Sequence, residues 1–176
     1  HPHDAAMLLR VPLPEWFEDA GFVSRAGAAL ADSLVHRFAV RADGRALDGK
    51  KPSAETLLHC LIYRIDPQAG AVLHTHSVAG TVLSMATPGD AILLSGYELL
   101  KAYPGTDTHD VTRAMPLVAN SQDMVAMAAE LEPQLIAVAP FPAFYIRGHG
   151  LYGWGKTMAA AEMVVEASEF LLACEL

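Results

Sequence analysis

The sequence predicts a layered α/β domain whose strands are at least partly antiparallel. Three observations lead there: helical and strand-like patterns alternate from Lys51 onward, a strong turn signal at Thr87-Pro88-Gly89-Asp90 sets up a hairpin-like pair, and a long apolar-faced helix closes the chain. At 176 residues the chain fits one domain spanning residues 1–176, with a sizeable core and an atypical or truncated stretch over roughly the first 45 residues.

Pro52-Ser53 reads as a helix start with Ser53 the N-cap, and Leu57, Leu58, Leu61 and Ile62 recur at helical spacing before Pro67 stops the run. Ala71 to His76 form a buried strand, and Ser77 to Met85 a short helix that ends at the Pro88-Gly89 turn. Ala91 to Leu94 is strand-like, Tyr97 to Tyr103 a short helix bearing Glu98, and Pro104 to Thr112 an irregular loop. Ala114 to Val118 reads as the next strand. Ser121 can cap a helix to about Leu131 with Asp123 in its first turn, and strand character follows at Gln134–Ala139 and Ala143–Ile146. The last helix, Thr157 to Cys174, carries its apolar face through Met158, Ala161, Val164, Val165, Ser168, Leu171 and Leu172. Upstream, Glu15 to Leu34 reads as one or two helices, and His36 to Val40 as a strand running into Asp43-Gly44.

Composition narrows the function classes. A hydrophobic share of 52% and a mean hydropathy of +0.26 argue against disorder and fit a chain that also buries surface against copies of itself. No run reaches the ~18 apolar residues of a membrane helix, the longest candidate being broken by Pro140 and Pro142. A net charge of −8 disfavours nucleic acid as the main partner. Cys60 and Cys174 form no metal or redox motif, and no secretory pattern is present, so the expectation is a cytoplasmic protein.

The chemistry concentrates at Leu73-His74-Thr75-His76-Ser77. Alternate side chains of a strand share a face, so His74 and His76 can converge on one point, as two ligands of a divalent metal must. His149, in Arg147-Gly148-His149-Gly150, sits where glycines permit a tight turn and close approach. Three neutral imidazoles with an open fourth position is the arrangement of a catalytic zinc. A His-x-His on a strand can also be a polar edge feature; here the pair closes an apolar strand just before a helix N-cap, where sheet proteins place chemistry. The other histidines carry less: His59 sits among leucines, His109 lies in a polar loop within reach of a substrate, and His1 and His3 belong to a terminal tail. Lys51 and Arg147 could neutralise a phosphate or merely cap structure.

Together, Lys51-Pro52-Ser53-Ala54-Glu55-Thr56-Leu57-Leu58-His59, Gly70 to Ser77 and Ile146 to Trp154 resemble the class II aldolase/adducin family over about Gly44 to Leu176. Within the family the likeness is best to the zinc dehydratases that act on 5-methylthioribulose 1-phosphate in methionine salvage. The resemblance implies a three-layer α/β/α fold around a mainly antiparallel sheet, homo-oligomeric (homotetrameric) assembly, and one zinc ion per subunit on His74, His76 and His149. It also implies Glu98 as the acid/base of a dehydration and gives Glu55 a place in the substrate site, beside Lys51 and His109, which their own positions make candidate contacts to a sugar phosphate. A carboxylate would take the proton beside the substrate carbonyl and return it to the departing hydroxyl. Aldolases of the family use a glutamate at the position of Glu55 instead, so the position of the base separates lyase from aldolase. Read alone, Glu55 is a first-turn helix stabiliser worth ~0.3–1 kcal/mol, and Glu98 an ordinary exposed helix residue. The family's glycine-rich phosphate segments, Ser-Gly-Asn and Ser-Gly-x-x-Lys-Gly, are absent, with Phe22 to Gly27 the nearest stretch. A sugar-phosphate aldolase and a non-catalytic relative lacking its phosphate loops are therefore the competing expectations.

Overall fold

A computed structural model describes residue 53 and residues 55–137 and 141–176, together with two short strands, β1 (Met7–Leu8) and β2 (Ala39–Val40). The chain divides into two compact units, His1–Thr56 and Leu57–Leu176. In the first, β1 and β2 pair antiparallel, Met7 opposite Val40 and Leu8 opposite Ala39. The expected helices over Glu15–Leu34, the Asp43-Gly44 turn, Phe22–Gly27 and Lys51 lie outside the described residues.

Ser53, the expected N-cap, stands three residues before α1 (Thr56–Ile65) in the turn that leads into it: its Oγ accepts from the Glu55 amide (3.3 Å) and its carbonyl from the Thr56 amide (3.1 Å). The second unit then runs β3 (Ala71–Thr75), α2 (Val78–Ala86), β4 (Ala91–Ser95), a 3-10 turn (Glu98–Ala102), β5 (Thr112–Val118), α3 (Met124–Ala137), β6 (Ala143–Ile146), β7 (Gly150–Gly155) and α4 (Met158–Cys174). Its five strands form one sheet in the order β3-β7-β6-β5-β4. Every neighbouring pair is antiparallel except β5 and β6, so the sheet is mixed, with antiparallel pairing dominant.

Alternation along the strands makes two cores, one on each face. Met115, Leu117, Ala143, Tyr145 and Leu151 pack under α4 with Tyr103, Val164, Val165, Leu171 and Leu172. Val118, Phe144, Ile146, Tyr152 and Trp154 face the other way, against Leu58, Leu61 and Ile62 of α1 and Met127, Leu131 and Leu135 of α3. This is the helix–sheet–helix layering that the family resemblance implies, within the layered α/β arrangement expected from the alternating pattern.

Two elements differ from expectation, α3 in both its extent and its cap, and β7. Gln134–Ala137 continues α3 rather than forming a strand, because Met127, Leu131 and Leu135 make a buried i, i+4, i+8 stripe that outlasts Pro133. Pro133 and Ala129, the residue whose carbonyl loses its partner, are both exposed, so the freed group lies on the solvent side of the helix rather than in the core. The N-cap of α3 is Asp123, whose Oδ1 accepts from the amides of Val125 (3.1 Å) and Ala126 (3.0 Å); Ser121 Oγ only receives the Asp123 amide. Finally β7, which lies beside β3 in the sheet, has no alternating apolar pattern to announce it. Glycine occupies positions 150, 153 and 155.

Candidate metal centre

β3 ends at Thr75, and His74 and His76 leave its end on the face covered by α1 and α3. His149 comes from the turn between β6 and β7, closed by its amide donating to the Ile146 carbonyl (2.9 Å). The β3–β7 register sets His74 opposite Tyr152 and Thr75 opposite Leu151, which brings this turn alongside the paired histidines. Gly150 permits the approach: a Cβ there would lie 2.7 Å from His76 Cδ2 and 2.8 Å from His74 Cε1, and it would also meet the Thr75 carbonyl.

The three imidazoles meet edge to edge. Ring centroids are 4.7 Å apart for His74 and His76, 5.1 Å for His74 and His149, and 4.8 Å for His76 and His149, with interplanar angles of 73°, 90° and 84°. His74 Nε2 and His76 Nε2 are 2.8 Å apart, and the ligand nitrogens of all three lie within 4.8 Å of one another. Tetrahedral zinc with ligand distances near 2.1 Å spaces its nitrogens about 3.4 Å apart, inside that range.

His74 is oriented for ligation. Its Nδ1 lies 2.8 Å from the Leu151 carbonyl, which can only accept, so Nδ1 carries the proton and the Nε2 lone pair faces the cluster. The ring stacks on Tyr152 (4.1 Å, 26°), which stacks on Phe144 (4.9 Å, 5°). Burial first, then the neighbouring His76, holds the pKa of His74 well below the ordinary imidazole range. The ring is therefore neutral near pH 7, as a ligand must be. Behind it, on α1, His59 meets the Tyr152 ring edge-on (5.3 Å), and burial pushes its pKa down to about 4. His59 Nδ1 is buried without a hydrogen-bond partner, so this residue stands behind the cluster as a neutral ring. On the opposite face of β3, Thr75 Oγ1 donates to Glu169 Oε1 (2.6 Å) and ties the strand to α4.

The other sequence-derived candidates fall into separate places. Glu55 is half-buried at the end of the first unit and directly precedes α1. Glu98 opens the 3-10 turn beyond β4, pairing with Lys101, and with His109 at 3.4 Å. The Lys101 hydrogen bond holds the Glu98 carboxyl below its usual range, so it is ionised at neutral pH. β3 and β4 are opposite edges of the sheet, about 19 Å apart at ~4.8 Å per strand. Tracing directions across the sheet makes β4 antiparallel to β3, so Glu98 also lies at the end away from the histidines. Within one copy, Glu98 and His109 are together, and both are remote from His74, His76 and His149. Arg147 takes the capping alternative: its guanidinium donates to the carbonyls of Ser84, Thr87 and Gly89. The stacking platform Tyr152 and the orienting Leu151 carbonyl had no sequence signal beyond the aromatic itself, since both depend on a strand that sequence pattern does not reveal. Among the described residues, no helix is long and apolar enough to cross a membrane.

The chain matches known proteins both by sequence and by fold. The family described as the class II aldolase and adducin N-terminal domain matches residues 23–176. A methylthioribulose-1-phosphate dehydratase of Gluconacetobacter diazotrophicus is 53% identical over 152 residues, 85% of this chain and 71% of that relative. The dehydratase of the same name from Granulibacter bethesdensis is 58% identical over 133 residues, 73% of this chain and 61% of the relative. One from Pseudomonas aeruginosa is 51% identical over 134 residues, covering 76% and 65%. The chain thus spans only about two thirds of the length of the curated relatives it matches. Among solved structures, YgbL of Escherichia coli superposes with a TM-score of 0.62 at 26% identity, over 78% of this chain and 63% of YgbL. An L-fuculose 1-phosphate aldolase does so with a TM-score of 0.61 at 16% identity, over 78% and 59%, which is a likeness of fold. By residues matched, by relatives above half identical, and by fold, the chain belongs to the class II aldolase and adducin family.

Proposed function

We propose that the chain is the core of a zinc-dependent hydro-lyase that dehydrates 5-methylthioribulose 1-phosphate to a diketo phosphate, a step of methionine salvage. The observation that carries this reading is the convergence of three imidazoles, one of them fixed in the ligating tautomer by the Leu151 carbonyl. The dehydratases named above supply the substrate class. His74, His76 and His149 hold the metal, one ion per chain, and Glu55 is a substrate contact. When bound, zinc supplies a Lewis acid for the substrate's carbonyl and neighbouring hydroxyl.

Glu98 is the acid/base: its carboxylate removes the proton beside the carbonyl and returns it to the departing β-hydroxyl, which leaves as water. Its ionised state suits the first of these steps. Because Glu98 stands at the far edge and far end of its own sheet, it serves the histidines of a second copy, and the active unit is a homo-oligomer. His109, paired with Glu98, arrives with it and contacts the substrate. Lys51 holds the phosphate. The assembly is a homotetramer and works in the cytoplasm.

The test is product analysis after incubating the zinc-loaded chain with 5-methylthioribulose 1-phosphate. A product lighter by one water supports the lyase. Release of an aldehyde and a smaller ketose phosphate would instead make the chain an aldolase, with Glu55 as the base. Unchanged substrate over a fully metallated protein would leave a non-catalytic relative.

A further inference from the structure

His74 and His76 are set by a strand, whereas His149 is set by a three-residue turn that has no regular ladder of its own. What holds that turn is α2. The helix begins at its N-cap Ser77, the residue after His76, whose side chain accepts from the Gly80 amide (3.1 Å). It runs nine residues, about 13 Å, and ends at Ala86. Its last turn contains no basic residue, and the last carbonyls of a helix need donors from elsewhere. Arg147 supplies them from sixty residues away in sequence: Nη1 donates to the carbonyls of Ser84 and Thr87 (the latter at 2.7 Å), and Nη2 to that of Gly89 at 2.6 Å. The adjacent Gly148, at φ +65°, donates its amide to Ser84 Oγ (3.0 Å), and the fully buried Ser84 donates in turn to the Thr81 carbonyl (2.8 Å). Arg147's own amide donates to the Val118 carbonyl (2.9 Å), anchoring the turn to β5. Five hydrogen bonds from two consecutive residues thus tie the His149 turn to the last turn of one helix, the residues just beyond it and one strand.

We propose that Arg147 is a positioning residue for the metal centre, its guanidinium clamping the His149 turn to the C-terminal end of the helix whose N-terminal end carries His76. The helix then acts as a strut between the strand-borne ligand pair and the turn-borne third ligand. This assignment rests on the proposed metal centre. It goes beyond that reading because Arg147 touches neither metal nor substrate, and its guanidinium is committed to carbonyls rather than to a phosphate.

The experiment compares zinc affinity by chelator competition, and the ligand-field spectrum of the cobalt(II)-substituted chain, for wild type, Arg147→Met, Arg147→Lys and Ser84→Ala. Thermal unfolding of each metal-free variant accompanies them. Arg147→Met should weaken zinc at least tenfold and shift the cobalt bands. Arg147→Lys should recover part of both, and Ser84→Ala should move both in the same direction by less. Arg64→Met, which removes an exposed guanidinium from its pair with Glu132, should lower neither. If Arg147→Met fails to fold, Arg147→Lys and Ser84→Ala decide. Wild-type affinity and an unchanged cobalt spectrum in the folded Arg147 variants and Ser84→Ala overturn the positioning role alone. A wild-type chain that binds no zinc overturns the metal centre and this role together.

Discussion

A single hydrogen bond decides what His74 can do. The Leu151 carbonyl takes the Nδ1 proton, and Nε2 is left to ligate. The His-x-His spacing shows that two rings can share a face, but the orienting carbonyl comes from a residue 77 positions away and leaves no mark in the local sequence. Glu98 illustrates the opposite case: the resemblance singles it out, while its surroundings in one copy show only an exposed carboxylate between Lys101 and His109. Replacing it by Gln should reduce dehydration by about 10²–10⁴-fold with metal content unchanged, measured by turnover and metal analysis on the same sample. Gly150→Ala should cost about 1–3 kcal/mol in denaturant unfolding and weaken metal binding, since the added methyl meets both histidine rings. His59 gives a pH signature. Its imidazole titrates near 6.5 when unfolded and near 4 when folded, so below pH 6.5 the unfolded chain binds the extra proton. Stability of the metal-free protein should therefore fall as pH drops from 6.5 toward 4, by on the order of 1–3 kcal/mol from this group. His74 acts in the same direction. Urea midpoints across that range should show a flatter profile for His59→Phe.

At the scale of elements, legibility followed periodicity. α1 and α4 announce themselves through apolar spacing, α2 through its capping Ser77, and β3 through its apolar run ending in the histidines. The sequence pattern ends α3 near Leu131 and gives Gln134–Ala139 strand character, and only the buried position of Leu135 shows that tertiary packing carries the helix through Pro133. Its cap lies at Asp123, so Asp123→Ala should cost about 1 kcal/mol, whereas Ser121→Ala should leave stability within ~0.5 kcal/mol. β7 is the most consequential omission. Its glycines let neighbouring elements approach closely, and the same substitution of packing for pattern hides it from a period-two search. Without β7 the histidine turn has no partner strand, so the third histidine of the cluster could be named but not placed.

For the whole molecule, the strand order carries the main lesson. A sheet that sets β3 and β4 at opposite edges keeps the histidines and Glu98 apart in each copy, a separation that no motif spacing encodes. If two copies build each active site, mixing Glu98→Gln and His76→Ala chains under conditions that exchange subunits should restore about a quarter of the wild-type rate from two inactive parents. Separate sites complete within one copy would restore none. Everything else in the account depends on the three imidazoles holding an ion. The most direct measurement is metal stoichiometry in the purified chain and in His74→Ala, His76→Ala and His149→Ala. The prediction is one zinc per chain in wild type and loss of tight binding in each variant; a wild type without zinc, or variants that keep it, would contradict the account.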